Sequence, residues 1–117
     1  VALEMRLNLD ILARSGCPIH ELRAIGGGAK SARWNQLKAD VLGKPLTALD
    51  VTEAGCLGTA MLACAADTGI TVDDLTALWI KPVARIHPRE QWRDWYNQRF
   101  ETYRQLYPAI RAVKLDQ

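Results

Sequence analysis

No two of the three cysteines, Cys17, Cys56 and Cys64, form a C-x-x-C pair, and neither histidine stands at metal-ligand spacing from them. An odd count without a repeating interval argues against a disulfide framework and against zinc. It suits a reducing compartment, with all three thiols expected to be buried or half-buried. A long hydrophobic run is also missing. The most apolar stretch, Ala54 to Ala66, is too short and too rich in small residues to span a bilayer, and no signal peptide is visible, so the expected location is the cytoplasm. Charge of one sign is scarce too. Fifteen basic residues against 13 acidic ones leave a net charge of +2, where a nucleic-acid binder usually shows a larger and more clustered excess. This balance does not bear on small anions, which backbone groups bind without any net charge. An initiator methionine and a helix cap are both absent before Val1, so the chain reads as a segment of a longer protein.

What remains is an ordinary globular composition: 117 residues, 49% hydrophobic and 24% charged, enough for one compact domain. Val1 to Ser15 alternates like a strand but is made of helix formers, and it is read as a helix with two apolar stripes, one against a sheet and one against a second element. Gly16, Cys17 and Pro18 end it. Glu21 to Ile25 is a short strand running into Gly26, Gly27 and Gly28. Ser31 is placed to cap a helix from Ala32 to Leu42, with Trp34, Leu37, Ala39 and Val41 toward the core and Gly43 closing it. Leu46 to Leu49 is a second strand. Thr52 is expected to cap a helix through Asp67 whose small residues on every face predict burial on all sides. Val72 to Trp79 is a short helix, and Pro82 to Pro88 an extended segment. Arg89 to Val113 is a long helical pattern that Pro108 should kink or end. The order helix, strand, helix, strand, helix, then a helical extension, is an α/β layer pattern.

The informative stretch is Ala24-Ile-Gly-Gly-Gly-Ala-Lys-Ser31. Three glycines between a strand and a helix let the backbone take positive φ and let a ligand come close to the main chain. The following helix N-terminus favours a phosphate. Neither a Walker A loop nor G-x-G-x-x-G fits, because Ala29 precedes Lys30 and Ser31 occupies the last position. A tight turn that uses glycine for geometry alone stays open beside phosphate binding.

The run from Ala24 through Gly43 resembles the nucleotide-phosphate segment of FGGY carbohydrate kinases, in particular the xylulokinase-like branch. Val51-Thr-Glu-Ala-Gly-Cys-Leu-Gly-Thr-Ala-Met-Leu-Ala63 is similar to that family's E-A-x-x-L-G-A-A helix. Val1-Ala-Leu-Glu4 resembles the end of the stretch that precedes it in the family. Trp95-Tyr96, Tyr103 and Leu106-Tyr107-Pro108 are similar to the closing helix of xylulokinases. The resemblance covers nearly the whole chain, in order. It implies part of an RNase H-like domain of the actin-like ATPase fold, with residues 1–69 as the nucleotide-binding α/β core and 70–117 as the helical extension. MgATP or MgADP would lie on this domain. Gly27, Gly28 and Ala29 would contact phosphates and ribose, Asn35 would be the polar side chain near adenine, and Gly26 and Ser31 would belong to the same site. Lys30 is expected to point to solvent, and Glu53 to be a first-turn carboxylate favoured by the helix dipole. The family's catalytic aspartate and most magnesium-associated carboxylates lie upstream of the matching segment. Asp40, Asp50, Asp67, Asp73, Asp74 and Asp94 match no catalytic motif, so the chain alone is expected not to phosphorylate a sugar. D-xylulose is the first expectation for the substrate, with L-xylulose, ribulose, erythritol or another polyol open.

The resemblance also implies that only the last two of five strands are present, which leaves a normally central strand as an edge and predicts self-association, as a homodimer by strand pairing or helix exchange. Two other readings stand beside the kinase. Arg89, Arg93, Arg99, Arg104 and Arg111 interleave with Trp92, Trp95, Tyr96 and Tyr103, a mixture that serves nucleic-acid stacking or a partner protein. The plainer account has those aromatics packed inward with arginines over the rim. A non-catalytic interaction module is the third. No membrane partner is expected.

Overall fold

The computed structural model describes residues 1–113. Helix α1 (Ala2–Arg14) is followed by strand β1 (Leu22–Ala24), a 3-10 turn at Gly27–Lys30 and helix α2 (Ala32–Leu42). Strand β2 (Leu46–Leu49), helices α3 (Ala54–Thr68) and α4 (Val72–Trp79), strand β3 (Pro82–Ile86) and helix α5 (Arg93–Ala112) complete the order. The architecture is mixed α/β, as expected.

The sheet has three strands in the order β1-β2-β3 rather than the two expected. β1 and β2 run parallel, with Leu22 beside Leu46 and Ala24 beside Ala48. The Pro82–Pro88 segment, foreseen only as extended, supplies an antiparallel third strand, Ile86 opposite Leu46, with a register shift between Ala48 and Leu49. The stretch read as a helical extension therefore returns to the sheet before its last helix. β1 is an edge strand.

The core is built on α2. Ala39, Val41 and Leu42 are buried with Leu46 and Ala48 of β2, and Phe100 closes the layer from α5. Leu46, at 2% exposure, is its most enclosed large side chain on the sheet. Alternation explains β2: Leu46 and Ala48 face α2, while Thr47 points to the other face, where Glu21 accepts its hydroxyl (2.7 Å) and binds Arg85 (3.3 Å). Ser31 caps α2 as expected, its Oγ accepting from the Trp34 N–H (3.3 Å), and Gly43 ends it in the left-handed region (φ 62°).

Several expectations are corrected. α1 packs principally on α2 and α5 rather than on the sheet, and Ile11 and Leu12 stay exposed. Leu37 is exposed, whereas Lys38 and Asp40 are buried, because α2 is flanked on several sides and the carboxylate finds partners there. α3 starts at Ala54, with Glu53 at the cap position and no side-chain capping bond, so Thr52 is not the cap. Nor is α3 buried on all sides: only Met61 is, and Leu62 is 64% exposed. Its main helical neighbour is α4, whose own cap is Thr71 with Asp74 (3.1 Å). Cys17 and Cys56 are exposed and Cys64 is half-buried. α5 continues through Pro108 to Ala112. The ring sits near the helix end, where the one backbone bond it forfeits falls in exposed chain. The radius of gyration, 18.3 Å, exceeds the about 13 Å of a compact domain of roughly this length, in keeping with the thin cover over α3.

Candidate functional site

The end of β1 and the end of β2 lie side by side because the strands are parallel, and ligand crevices form at such carboxyl ends. A cleft of ≈ 340 Å³ opens there. One side is the glycine turn with Gly26, Ala29 and Lys30. The floor includes Asn35 of α2 and Ala48 of β2, and the segment Asp50-Val51-Thr52 closes the β2 end. Val83, Ala84 and Ile86 of β3 form the remaining wall.

The turn is held from both ends. Gly26 has φ 79° and ψ −174°, a conformation only glycine takes without strain, and its N–H donates to the Val51 carbonyl (2.7 Å). Its own carbonyl accepts from the Ala29 N–H (3.0 Å), closing the 3-10 turn. Gly27 and Gly28 have no positive φ. A Cβ added at Gly27 would meet nothing within 4 Å, and one at Gly28 would reach the Trp34 ring only at ordinary contact distance (3.9 Å). The protein's own packing therefore does not require glycine at either position. These two residues open the turn, and the first N–H groups of such a turn have no partner inside it.

Asn35 is 2% exposed. Its Nδ2 donates to the Ala29 carbonyl (2.6 Å), which locks the turn to α2 and settles which way the amide points, since a carbonyl can only accept. Its Oδ1 is buried without a partner. A buried acceptor left unsatisfied costs about 1–3 kcal/mol, so it calls for an explanation.

Of the residues singled out from sequence, Gly26, Ala29 and Asn35 come together in the cleft with Lys30, which is exposed but stands at its edge. Gly27 and Gly28 form the exposed crest of the turn, and Ser31 is spent on capping α2. Sequence reasoning missed Asp50, Val51, Thr52 and the β3 residues. The signal for the first three was topological: parallel strands place the residues after β2 beside those after β1. Among the described residues no group of three or more His, Cys, Asp or Glu is placed to hold a metal ion. No helix among them is long and apolar enough to cross a membrane. The aromatic-basic helix is divided: Phe100 is buried, Tyr96 is half-buried, and Trp92 and Trp95 are exposed, contrary to uniform inward packing. Arg89 lies over the Trp92 ring at 6.0 Å and Arg99 over Trp95 at 4.9 Å.

Residues 1–66 match the model of the FGGY family of carbohydrate kinases, C-terminal domain. A xylulose kinase of Staphylococcus epidermidis (strain ATCC 35984) is 28% identical over 113 residues, 93% of this chain and 22% of the relative. A glycerol kinase of Acidovorax sp. (strain JS42) is 38% identical over 79 residues, 67% of this chain and 16% of its own length. The crystal structure of xylulose kinase from Rhodospirillum rubrum superposes with a TM-score of 0.80 at 25% identity, covering 95% of this chain and 23% of that one. The chain thus spans about a fifth of the length of the curated relatives it matches. With the strand–glycine-turn–helix unit inside the matched residues and the fold shared across nearly its whole length, the chain belongs to the FGGY family of carbohydrate kinases.

Proposed function

We propose that this chain is the ATP-binding part of a sugar or polyol kinase, and that the protein containing it transfers the γ-phosphate of ATP to a hydroxyl group. The observation that carries this reading is the strand–glycine-turn–helix unit at the cleft: a turn held by Gly26 and by Asn35, with Gly27 and Gly28 at an exposed crest where the protein's own packing does not require glycine. Amide donors at a turn crest suit phosphate oxygens. In this reading Gly26, Gly27, Gly28 and Ala29 hold phosphates and ribose. Asn35 keeps the turn in place through Nδ2 and lies on the adenine side, and Ser31 supports the helix start.

Among the described residues Asp50 is the one carboxylate lining the cleft, and it follows a strand without a second acid beside it. Magnesium accompanying ATP would take most of its ligands from outside the chain. Phosphoryl transfer needs a base for the acceptor hydroxyl and charge neutralisation for the phosphates. Because those groups belong to the rest of the protein, the chain alone does not turn over. D-xylulose is the first candidate, from the similarity to xylulose kinases, and glycerol is the competing acceptor. A cytoplasmic location suits a protein that uses ATP and carries three free thiols. The exposed β1 edge makes self-association the expected behaviour of the isolated chain, visible as dimers in sedimentation; a monomer at high concentration would contradict it.

ADP release on mixing the whole protein with ATP and a panel of D-xylulose, L-xylulose, ribulose, erythritol and glycerol tests the reading. Turnover with one or two of these, and none by the 117-residue chain, is expected. Turnover by the chain alone, or none by the whole protein, would contradict it.

A further inference from the structure

We propose that Asp40 is a positioning residue for the nucleotide cleft: by gripping the segment that follows β3, it holds the β3 wall against α2 and so sets the width of the site. The ligand named here rests on the nucleotide reading above, whereas the grip is a matter of geometry alone.

Among the described residues β3 is the far edge of the sheet and pairs with β2 alone, and that pairing shifts register between Ala48 and Leu49, beside the cleft. The shift passes over Val83 of the wall, which has no register partner on β2. At its start the strand is tethered by the Asp50 N–H to the Lys81 carbonyl (3.0 Å). At its end the tether is Asp40. This side chain, on α2, is fully enclosed at 0% exposure. Its Oδ1 accepts from the Arg89 backbone N–H (2.8 Å) and from Gln36 Nε2 (3.0 Å). Its Oδ2 accepts from Arg89 Nε (3.1 Å) and Nη2 (2.7 Å). Gln36 Nε2 also donates to the His87 carbonyl (2.9 Å). Two residues of α2 thus hold His87 and Arg89, immediately beyond the last wall residue, Ile86.

The same helix carries Asn35, which locks the opposite side of the cleft through the Ala29 carbonyl. Both walls are referred to one rigid element. α2 is in turn fixed at its C-terminal end by Arg6, which donates to the Val41 carbonyl (3.1 Å) and to Asn97 Oδ1 (2.6 Å) of α5. Burying a carboxylate is expensive, and apolar packing of the same volume would serve stability as well or better. What a carboxylate with four donors adds is direction: it fixes the register of the chain that it holds.

The test compares wild-type chain with Asp40→Asn, and with Leu75→Ala as a control that loosens α4, which contributes nothing to the cleft lining. Hydrogen exchange at Val83, Ala84, Arg85 and Ile86 should be about tenfold or more faster in Asp40→Asn, with the Ala29 amide much less affected. ADP affinity should fall about tenfold in Asp40→Asn and change by less than about twofold in Leu75→Ala. Unchanged exchange in β3 of a folded Asp40→Asn would overturn the grip. Faster exchange with unchanged ADP affinity would overturn the positioning role. If the wild-type chain binds no ADP, the nucleotide reading falls and takes the positioning role with it, while faster β3 exchange would leave Asp40 as a latch only. Should Asp40→Asn not fold, Arg89→Lys keeps the charge but loses the two-pronged contact, and the same outcomes in that variant decide the matter.

Discussion

Helices α2 and α3 invert what their compositions lead one to expect. α3 is almost wholly small and apolar, yet it buries only Met61 and leaves Leu62 largely in solvent. α2 is far more polar, yet it buries Asn35, Lys38 and Asp40 alongside its apolar residues. The difference lies in neighbours. α2 is flanked by α1, α5, the glycine turn and two strands, whereas the principal helical contact of α3 is α4. Composition states which surfaces are suited to burial, and neighbours decide which are buried. A helix full of small residues is adapted to close approach of something, but cannot by itself supply it. Conversely, polar groups enter a core once their partners are present: Asp40 meets Arg89, and the Lys38 ammonium, pushed below its usual lysine range by burial, lies 5.8 Å from the Trp34 ring.

The contrast can be broken most strongly at its buried end. Leu46→Ala empties the space between α2 and the sheet and should cost about 2–5 kcal/mol of stability in denaturant unfolding. A loss below about 1 kcal/mol would mean that this layer is not the core. Acid should act next. Burial alone would push the Asp40 carboxyl upward, but the hydrogen bonds from Arg89 and Gln36 outweigh it and hold the group below its ordinary 3.8. A depressed folded-state value stabilises the protein above the unfolded value, and this contribution disappears as pH falls through the folded one. Urea midpoints measured from about pH 7 down to about pH 2 should therefore fall more steeply at the acid end for wild type than for Asp40→Asn. Equal slopes would show that the carboxylate is not the paired group. The smallest effect is expected on α3, where Leu62→Ala should alter stability by no more than about 0.5 kcal/mol despite removing a leucine. A core-sized loss there would show that α3 is covered in solution, for instance by a second copy of the chain.

How far the molecule was legible in its sequence follows the same division. Local signals were read correctly: Ser31 and Gly43 bracket α2, and Leu46–Leu49 is β2 as expected. These features depend on a few adjacent residues. β3 was harder, because Arg85 within it and exposed Val83 and Ala84 weaken the pattern, and its strand character comes from pairing with β2. Leu37, expected toward the core, is exposed, and the burial of Asp40 was not foreseen, because the partner that admits a carboxylate there lies 49 residues away. Of the three cysteines expected to be buried or half-buried, Cys64 is half-buried, Cys56 is exposed for the reason α3 is, and Cys17 is exposed because it lies in the linker after α1. In the candidate site, the glycine turn and Asn35 were visible as a motif. Asp50, Val51 and Thr52 join them only through the parallel pairing of β1 with β2.

The measurement that bears most directly on the central claim is an NMR titration of the labelled chain with ADP, following the amides of Gly27, Gly28, Ala29 and Asn35. Saturable shifts confined to these residues and to the facing β3 wall are predicted. They should weaken about tenfold or more in Gly28→Val, a change that the open surroundings of this residue let the fold accept. A folded chain whose glycine-turn amides do not respond to ADP would contradict the claim, and leave the chain an interaction module with the fold of a kinase domain.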